Sequence, residues 1–483
     1  MNRLIKNEFK KLFSKKIIYI LFIISLLVVI LTNVIFSIVI ENLEEKTLLE
    51  QELKLLEKEM DSDENKLPEN KENLIDIKTQ YEKIKLALSY GTDSWQFYFI
   101  DRENTTDSVI RAVKTAEENN DQTALEEATK EYNSLKQKLE NGDWQSFVKD
   151  QLDNIKDQIS SMEELLKDIK DTKTKQAVDL ELENLNISRQ AFEWRLEKNI
   201  TYGSSFLSKK IEEYMTSSQY INSMKDNENK SSEEQANYNE AIKSANIAKY
   251  YIENNINIKK EYNAGKTFAN TISEYGLFIV LFSIIIAGTI VSNESQKGTI
   301  KLLLTRPYSR NKILLSKYIV CLITILMFII GFLISQFIVG CIVDGFDVFK
   351  VPIVEFNVET NSIAVLSVFK YAILKILFTL PVAILLSTFA FLLSTVSLNS
   401  ALSVAMPILG YMGSNIVNVF IDRAKFLKYF VTANWDLSVY MFGGKGVAEG
   451  LNFAISFIIC LIYLVIMLIS TFSVFNKRDI KNV

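Results

Sequence analysis

The chain lacks histidine entirely, and its 483 residues include only three cysteines, five prolines and 16 glycines. The absence of histidine removes the commonest general base, proton switch and metal ligand, so a Ser-His-Asp hydrolase and a zinc hydrolase are excluded. Cys321, Cys341 and Cys460 lie in or at the ends of apolar runs, which leaves no cysteine in residues 41–273. That long polar stretch has no internal disulfide. We predict no catalytic residue, no metal site and no covalent chemistry in this chain.

Charge is nearly absent from six long stretches of the sequence. Each stretch is long enough, as a helix, to cross about 30 Å of hydrocarbon. The six predicted spans are Ile17–Ile40, Tyr275–Ser292, Ile313–Cys341, Tyr371–Val396, Ala401–Ile421 and Leu451–Phe475. The first run is longer than the apolar core of a signal peptide, and no small-residue cleavage site follows it. We therefore expect it to remain in the protein as a transmembrane helix. The sequence therefore predicts an all-α polytopic membrane protein with six transmembrane helices.

The distribution of Lys and Arg predicts the orientation. Residues 1–16 carry six basic side chains and a single acidic one, Glu8. Basic flanks stay in the cytoplasm, and six spans return the C-terminus to the same side. The basic loop 293–312 then faces inward and the acidic loop Asp344–Glu359 outward, while the mildly basic outer segment Asp422–Gly450 is an exception. We expect a multi-pass protein of a bacterial plasma membrane with both termini cytoplasmic.

Residues 41–273, between the first two predicted spans, form a large acidic insert. It carries 47 acidic and 32 basic side chains, a net charge of −15. Its scarcity of proline and glycine favours long helices, which we expect to stack as coiled-coil-like hairpins in an extracellular domain. Two aromatic clusters, 92–97 and 143–147, each follow a predicted turn. We interpret them as buried packing at helix starts, and the alternative is a pair of ligand-contacting patches on an internal repeat.

The N-terminus, residues 1–16, has the pattern of an amphipathic helix. Its apolar stripe consists of Leu4, Ile5, Phe9, Leu12 and Phe13, with lysines on the opposite side and Glu8 toward the edge. The pattern favours a cytoplasmic interface helix on the inner leaflet, with membrane lipid as a partner. The alternative is a plain basic flank that only fixes the orientation of the first span.

The loop 293–312 lies between the second and third spans and has a pattern of its own. Glu294 suits the positive end of a helix dipole, and Pro307 with Arg310 would end that helix before the next span. Three consecutive leucines, Leu302 to Leu304, form an apolar ridge between basic residues. A short amphipathic helix of this kind could bind in a groove of a soluble partner. An ordinary connecting loop would not need the leucine ridge.

The run Glu294-x-x-x-Gly298-Thr299-Ile300-x-x-Leu303-Leu304-Thr305-x-Pro307-x-Ser309-Arg310-x-x-Ile313-x-x-x-Lys317 resembles the motif after the second span of ABC-2 type permeases, the membrane subunits of one class of ABC transporters. The resemblance covers about half the chain. It implies a coupling helix that contacts a separate cytoplasmic ABC ATPase. The implied contact residues are Glu294, Gly298, Thr299, Leu302, Leu303, Leu304, Pro307 and Arg310.

The same resemblance implies a half-transporter that pairs with a second permease copy, as a homo- or heterodimer, and short re-entrant helices in the segment 422–450. ATP and Mg²⁺ would be bound by the ATPase, and we expect no cofactor in this chain and no nucleic-acid partner. Gly265-Lys266-Thr267 does not complete a phosphate-binding loop, because Lys260 stands where the motif requires glycine. We interpret these three residues as a helix boundary. The large insert departs from the family, which joins the first two spans by a short loop.

From these expectations we predict that the protein is a permease subunit that exports a peptide, drug or lipid-like substrate. Isolated polar residues within the spans, Asn33, Gln336, Asn415 and Asn418, are candidates to line the translocation path, because a polar group facing lipid is costly. Hydrogen bonding between helices is an equal alternative for these residues. A first rival function is a mechanotransmitter or sensor that passes ATP-driven motion to the insert. A second rival, a structural or adhesion protein, leaves the leucine-rich loop unexplained.

Overall fold

The computed structural model describes residues 1–42, 45–62, 70–92, 94–102, 104–142, 144–203, 205–227, 229–259, 263–299, 308–421 and 424–478. The chain divides into two compact units. We call Met1–Phe36 together with Tyr262–Val483 the membrane unit, and Ser37–Glu261 the insert unit. The chain begins with helix α1, Asn2–Phe13, and helix α2, Lys16–Asn42.

The regular secondary structure of the insert unit is all helical among the residues that the structure describes. Its helices are α3 Glu45–Met60, α4 Lys71–Tyr90, α5 Trp95–Arg102, α6 Asn104–Asn119, α7 Gln122–Asn141, α8 Trp144–Asp168, α9 Thr172–Glu197, α10 Phe206–Met224 and α11 Ser232–Glu253. Neighbours in sequence pack as helical hairpins: α3 with α4, α6 with α7, α8 with α9, and α10 with α11. The side chains of Asp121, Asp171, Ser205 and Ser231 cap helix starts by accepting a backbone N–H three residues later.

The two aromatic clusters of the insert pack against each other. Phe97, Phe99 and Phe147 are buried in one hydrophobic core. The ring of Phe147 lies 4.8 Å from that of Phe99 and 5.4 Å from that of Trp95. The interpretation of these residues as helix-start packing is confirmed, and their burial leaves no exposed aromatic surface at Phe147 for a ligand.

The rest of the membrane unit follows the insert. Its helices are α12 Ala264–Ala269, α13 Thr271–Glu274, α14 Gly276–Ile290, α15 Ser292–Gln296, α16 Arg310–Val343, α17 Val368–Val396, α18 Ser400–Met412, α19 Ser414–Val419 and α20 Phe453–Lys477. A hairpin that the sequence analysis did not predict pairs β1, Ile353–Asn357, with antiparallel β2, Ser362–Leu366. Short 3-10 helices occupy 346–349, 425–429, 431–433 and 437–443.

The boundary of the insert differs from the predicted residues 41–273. Residues 264–274 pack against α16 and α17 of the membrane unit. There Asn263 caps α12 by accepting the backbone N–H of Lys266, so Gly265-Lys266-Thr267 is the first turn of a helix, and the prediction of a helix boundary is confirmed. A Cβ atom at Gly265 would lie 2.3 Å from the carbonyl oxygen of Val348, so no larger residue fits at this junction.

Five helical segments are long and apolar enough to cross a membrane: Lys16–Ile35, Gly276–Gln296, Arg310–Val343, Val368–Val396 and Phe453–Lys477. They coincide with five of the six predicted spans. On the predicted span Ala401–Ile421 the structure has two shorter helices, α18 and α19, separated at Gly413. The molecule is thus an almost entirely α-helical, polytopic membrane protein.

Helix α14 is the centre of the membrane unit. It packs against α16, α17 and α18 and is the most buried of the five candidate spans. Gly288 allows α14 to cross α18 at close range. A Cβ atom at this position would lie 2.9 Å from both the carbonyl oxygen of Ser403 and Cγ2 of Val404 in α18. The loop 293–312 follows this central helix almost directly in the chain.

The Gly288→Ala variant is expected to be less stable than the wild type by about 1–3 kcal/mol, because the added methyl group forces α14 and α18 apart. Gly276→Ala in the same helix is the matched control, since nothing lies within 4 Å of a Cβ atom there. Thermal unfolding of the full-length protein in detergent micelles measures both. Equal midpoints for the two variants would contradict the close crossing.

Candidate functional site

Helix α1 is docked on the membrane unit. Leu4 and Leu12 are each 3% exposed, and Ile5, Phe9 and Phe13 pack against the same hydrophobic core as the spans. The prediction of an amphipathic helix is confirmed, and its apolar stripe contacts protein, chiefly α16. The outward face of α1 is polar and basic.

Glu8 is buried together with the leucines of α1. The residues at positions 4, 8 and 12 share one face of the helix, because four residues make about one turn. Glu8 is only 4% exposed, although the sequence analysis placed it toward the edge of the stripe. A buried carboxylate needs a partner, and Lys317 of α16, 2% exposed, provides it.

Four charged side chains form a closed ring, which we call the charge ring (Glu8, Lys11, Glu294, Lys317). The Nζ atom of Lys317 lies 2.7 Å from Glu8 Oε2 and 2.7 Å from Glu294 Oε2. The Nζ atom of Lys11 lies 2.9 Å from Glu294 Oε1 and 3.5 Å from Glu8 Oε1. The charges alternate in sign and sum to zero. The ring joins α1, α15 and the beginning of α16.

Lys15, just after α1, lies near the charge ring. Its pKa is lowered, first by burial and further by repulsion from Lys317 and Lys297, against the attraction of Glu294 and Glu8. Each of these neighbours belongs to α1, to the loop or to α16. The region is therefore a shared electrostatic environment in which one charge change affects several segments.

The first part of the loop 293–312 also contacts the turn between α17 and α18. Ser400 Oγ donates to Asn293 Oδ1 at 2.8 Å, and Gln296 Nε2 donates to the carbonyl oxygen of Leu398 at 3.2 Å. Gly298 then takes a left-handed conformation, φ +68°, in open space. The Thr299 hydroxyl donates to the carbonyl oxygen of Glu294 at 3.2 Å.

The last part of the same loop contacts the C-terminal end of α20. The guanidinium of Arg310 donates to the carbonyl oxygens of Asn476 and Arg478, at 3.1 and 3.0 Å. Arg478 in turn donates to the carbonyl oxygens of Thr395 and Val396 at the end of α17. Arg310 was predicted as a contact with the ATPase, and in this chain its Nη1 is engaged by internal carbonyl oxygens.

We call this end of the membrane unit the basic end, formed by residues 1–16, 292–299, 308–317, 394–403 and 474–478. Leu302, Leu303, Leu304 and Pro307 of the predicted coupling helix lie outside the residues that the structure describes, as do the side chains of Asn415 and Asn418. The described contact candidates, Glu294, Gly298, Thr299 and Arg310, all lie at the basic end.

Asn33 and Gln336, the two described candidates for a translocation path, bind each other. Asn33 Nδ2 donates to Gln336 Oε1 at 2.9 Å, and Gln336 Nε2 donates to Asn33 Oδ1 at 3.2 Å. Tyr275 donates its hydroxyl to Gln336 Oε1 at 2.8 Å and contacts Thr32 Oγ1 at 3.0 Å. These bonds join α2, α16 and the start of α14. Hydrogen bonding between helices was the alternative to a translocation path for Asn33 and Gln336, and the two residues make such bonds.

The segment before the last span is organised around Asn434, which is 1% exposed. Its Nδ2 donates to the carbonyl oxygens of Lys428 and Phe430, at 2.6 and 2.8 Å, and its Oδ1 accepts from Ser456 Oγ at 2.7 Å. Cys460 Sγ lies 3.2 Å from its backbone oxygen. The side chain joins the 3-10 helix 425–429 and the residue after it to α20.

Sequence reasoning missed Glu8, Lys11 and Lys317 as members of a site. Lys317 closes the motif that begins with Glu294, and the structure brings these two residues into an ion pair. The available signal was weak but physical: a lone acid on an apolar helix face and a lone lysine within a long apolar run.

The fold and the charge ring define a multi-pass membrane protein with an ion network at one end of its helices. Residues 236–481 match the family described as Protein of unknown function (DUF2705), and the chain belongs to that family. It is similar to the uncharacterized protein YhcI of Bacillus subtilis (strain 168), 33% identical over 235 residues, which are 48% of this chain and 74% of the relative. It is also similar to the uncharacterized membrane protein YdbK of the same organism, 26% identical over 209 residues, 42% of this chain and 79% of the relative. No solved structure matches the chain.

Proposed function

We propose that this protein is the permease subunit of an ATP-driven ABC transporter, an exporter of a peptide, drug or lipid-like substrate. The chain itself carries no ATPase, and a separate cytoplasmic ATPase hydrolyses ATP with Mg²⁺. The permease works as a pair with a second copy or a related chain in a bacterial plasma membrane. In this proposal α18 and α19 together complete a sixth span, and the basic end faces the cytoplasm.

One observation carries the proposal: the described parts of the loop 293–312 contact every other segment at the basic end. Glu294 belongs to the charge ring with α1 and α16, Gln296 reaches the turn before α18, and Arg310 reaches the end of α20. The loop also extends from the central helix α14. A displacement of the loop by an ATPase would therefore act on all of these helices together, as an ATP-driven rearrangement requires.

Two observations favour a mechanotransmitter as the second candidate. Asn33 and Gln336 bind each other, which leaves their amide groups engaged and gives no support to a polar path at that position. The insert is a compact unit with its own hydrophobic core, a form suited to receiving motion. In this alternative the ATPase and its contact with the loop are the same, and no substrate crosses the membrane.

The Gly298→Trp variant tests the contact with an ATPase. Gly298 is exposed and left-handed, so tryptophan there adds bulk at the loop and strains its backbone. We expect the ATPase that co-purifies with the wild-type protein to be lost, or its hydrolysis rate in lipid vesicles to fall at least tenfold. The measurement is ATP hydrolysis per copy of the membrane protein.

Gly345→Trp is the matched control. Gly345 also has a positive φ, +83°, with open space around it, and it follows the opposite end of α16. This variant should keep the ATPase and its activity. If both variants behave alike, or if no ATPase accompanies the wild-type protein, the proposal is wrong.

A further inference from the structure

The exposed charged side chains of the basic end all have one sign among the residues that the structure describes. They are Arg3, Lys6, Lys10, Lys11, Lys16, Lys297, Lys312 and Lys477. The acidic residues described at this end are Glu8 and Glu294, which are 4% and 15% exposed and are held in the charge ring. The ring is neutral overall and holds both carboxylates together with Lys11 and Lys317. The other seven exposed cations therefore have no acidic residue to compensate them among the described residues of this end.

Three of the cations share the outward face of α1. Arg3, Lys6 and Lys10 are three and four residues apart, so they follow one another along one side of the helix. They are opposite the face that carries Leu4, Glu8 and Leu12 and that packs on the membrane unit. None of the three has an acidic partner among the described ion pairs. The orientation of α1 is fixed by its buried face, which presents the cations together.

The position of α1 places this charge at the membrane surface. Only Ser14 and Lys15 separate the end of α1 from the candidate span that begins at Lys16. The headgroup layer therefore lies within a few ångströms of the last turn of α1, which carries Lys10. Ile5, in the first turn, packs on the hydrophobic core of the spans, so the start of α1 is also held against the membrane unit. Electrostatic attraction extends over a Debye length of about 8 Å at physiological ionic strength, which covers this separation.

We propose that the outward face of α1 is a binding site for anionic phospholipid headgroups. Charge complementarity supports this occupant, and the neighbouring span keeps lipid next to the site at all times. The apolar stripe of α1 is already used within the protein, so recognition is electrostatic and does not require insertion of the helix into the acyl chains. The proposal does not depend on an ATPase, and so it can fail or succeed separately from the proposed transport function.

The expected size of the effect follows from surface electrostatics. Each basic residue near an anionic leaflet strengthens the attraction about fivefold, so three such residues together contribute on the order of 100-fold. The variant Arg3→Gln/Lys6→Gln/Lys10→Gln should therefore lose affinity for phosphatidylglycerol by about that factor. Raising the salt concentration should weaken binding of the wild type far more than that of the variant.

A fluorophore on α1 reports the binding locally. Asn7 is exposed between Lys6 and Lys10, and Asn7→Cys accepts an environment-sensitive dye once the half-buried Cys341 is replaced by alanine. The full-length labelled protein in phosphatidylcholine nanodiscs is compared at rising phosphatidylglycerol content. We expect half-saturation at a much lower phosphatidylglycerol fraction for the wild type than for the triple variant.

Three controls keep the test specific. Lys130→Gln/Lys136→Gln/Lys149→Gln removes the same charge from exposed positions of the insert unit and should leave the response unchanged. Arg3→Lys/Lys6→Arg/Lys10→Arg keeps the charge and should bind like the wild type. Soluble glycerol phosphate should produce no dye response, because a free phosphate lacks the multivalent surface.

The proposal is overturned if the triple variant half-saturates at the same phosphatidylglycerol fraction as the wild type, or if no form responds to phosphatidylglycerol. An equal response to soluble glycerol phosphate would also overturn it. If the triple variant does not fold, Lys6→Gln alone decides the matter: a shift of about fivefold supports the site, and no shift rejects it.

Discussion

Lys317→Met is expected to destabilise the membrane unit by about 3–5 kcal/mol, because it leaves Glu8 buried without the cation that is 2.7 Å away. Lys11 cannot fully replace Lys317, because the Lys11 side chain is 44% exposed and its Nζ atom lies 3.5 Å from Glu8 Oε1. Heating the detergent-solubilised protein with a thiol-reactive dye measures the loss once the half-buried Cys341 is replaced by alanine, since Cys321 and Cys460 are buried and become labelled only on unfolding.

The double variant Lys317→Met/Glu8→Gln should recover most of that stability. It removes one cation and one anion, so the remaining Lys11 and Glu294, 2.9 Å apart, still neutralise each other. The two substitutions must therefore be strongly non-additive, with a coupling energy above about 1 kcal/mol.

Lys350→Met is the control for the charge ring. Lys350 pairs with Asp347 at 2.8 Å, but both side chains are largely exposed, so its loss should cost no more than about 1 kcal/mol. A loss of that small size for Lys317→Met, or simple additivity in the double variant, would show that the charge ring does not hold α1 in place.

Asn434→Leu is expected to destabilise the segment before the last span by about 3 kcal/mol. The substitution removes both Nδ2 hydrogen bonds and the acceptor for Ser456, while a leucine side chain provides no replacement. Each buried polar group left without a partner costs about 1–3 kcal/mol. The dye reaction of Cys460, whose thiol contacts the backbone oxygen of Asn434, should start at a lower temperature.

Ser456→Ala is the matched control for Asn434. It removes one hydrogen bond to Asn434 and one between Ser456 and the Tyr440 hydroxyl, and should cost about 1–2 kcal/mol. If Asn434→Leu is as stable as Ser456→Ala, the short 3-10 helices are held by their apolar contacts, such as that between Trp435 and Tyr411, and the network around Asn434 is not what orders them.

Hydropathy was sufficient for most of the membrane unit. The five candidate spans coincide with predicted runs because a helix that meets lipid has to be apolar over its whole length. The stripe of α1 and the aromatic clusters of the insert were also predictable, since helical spacing places such residues on one face. The hairpin of β1 and β2 was missed because two strands of five residues give little periodic signal.

The candidate site was predicted only in part. Glu294 and Arg310 were singled out from the motif, but their partners were not, because Glu8 and Lys317 are 309 positions apart in sequence and meet only through packing. A charged residue in isolation is normally a solvated one. Asn33 and Gln336 show the same limit, since the pattern identified both residues but not the hydrogen bonds between them.

Site-specific cross-linking tests the central claim, contact between the loop 293–312 and an ATPase, most directly. A photoreactive amino acid would replace the exposed Lys297 in the loop or, as a control, the exposed Lys350 beyond the opposite end of α16. Adducts formed in native membranes are then tested for labelling by a photoreactive ATP analogue. The account predicts an ATP-binding adduct from position 297 and none from position 350. An adduct from 297 that does not bind ATP, or equal ATP-binding adducts from both positions, would contradict it.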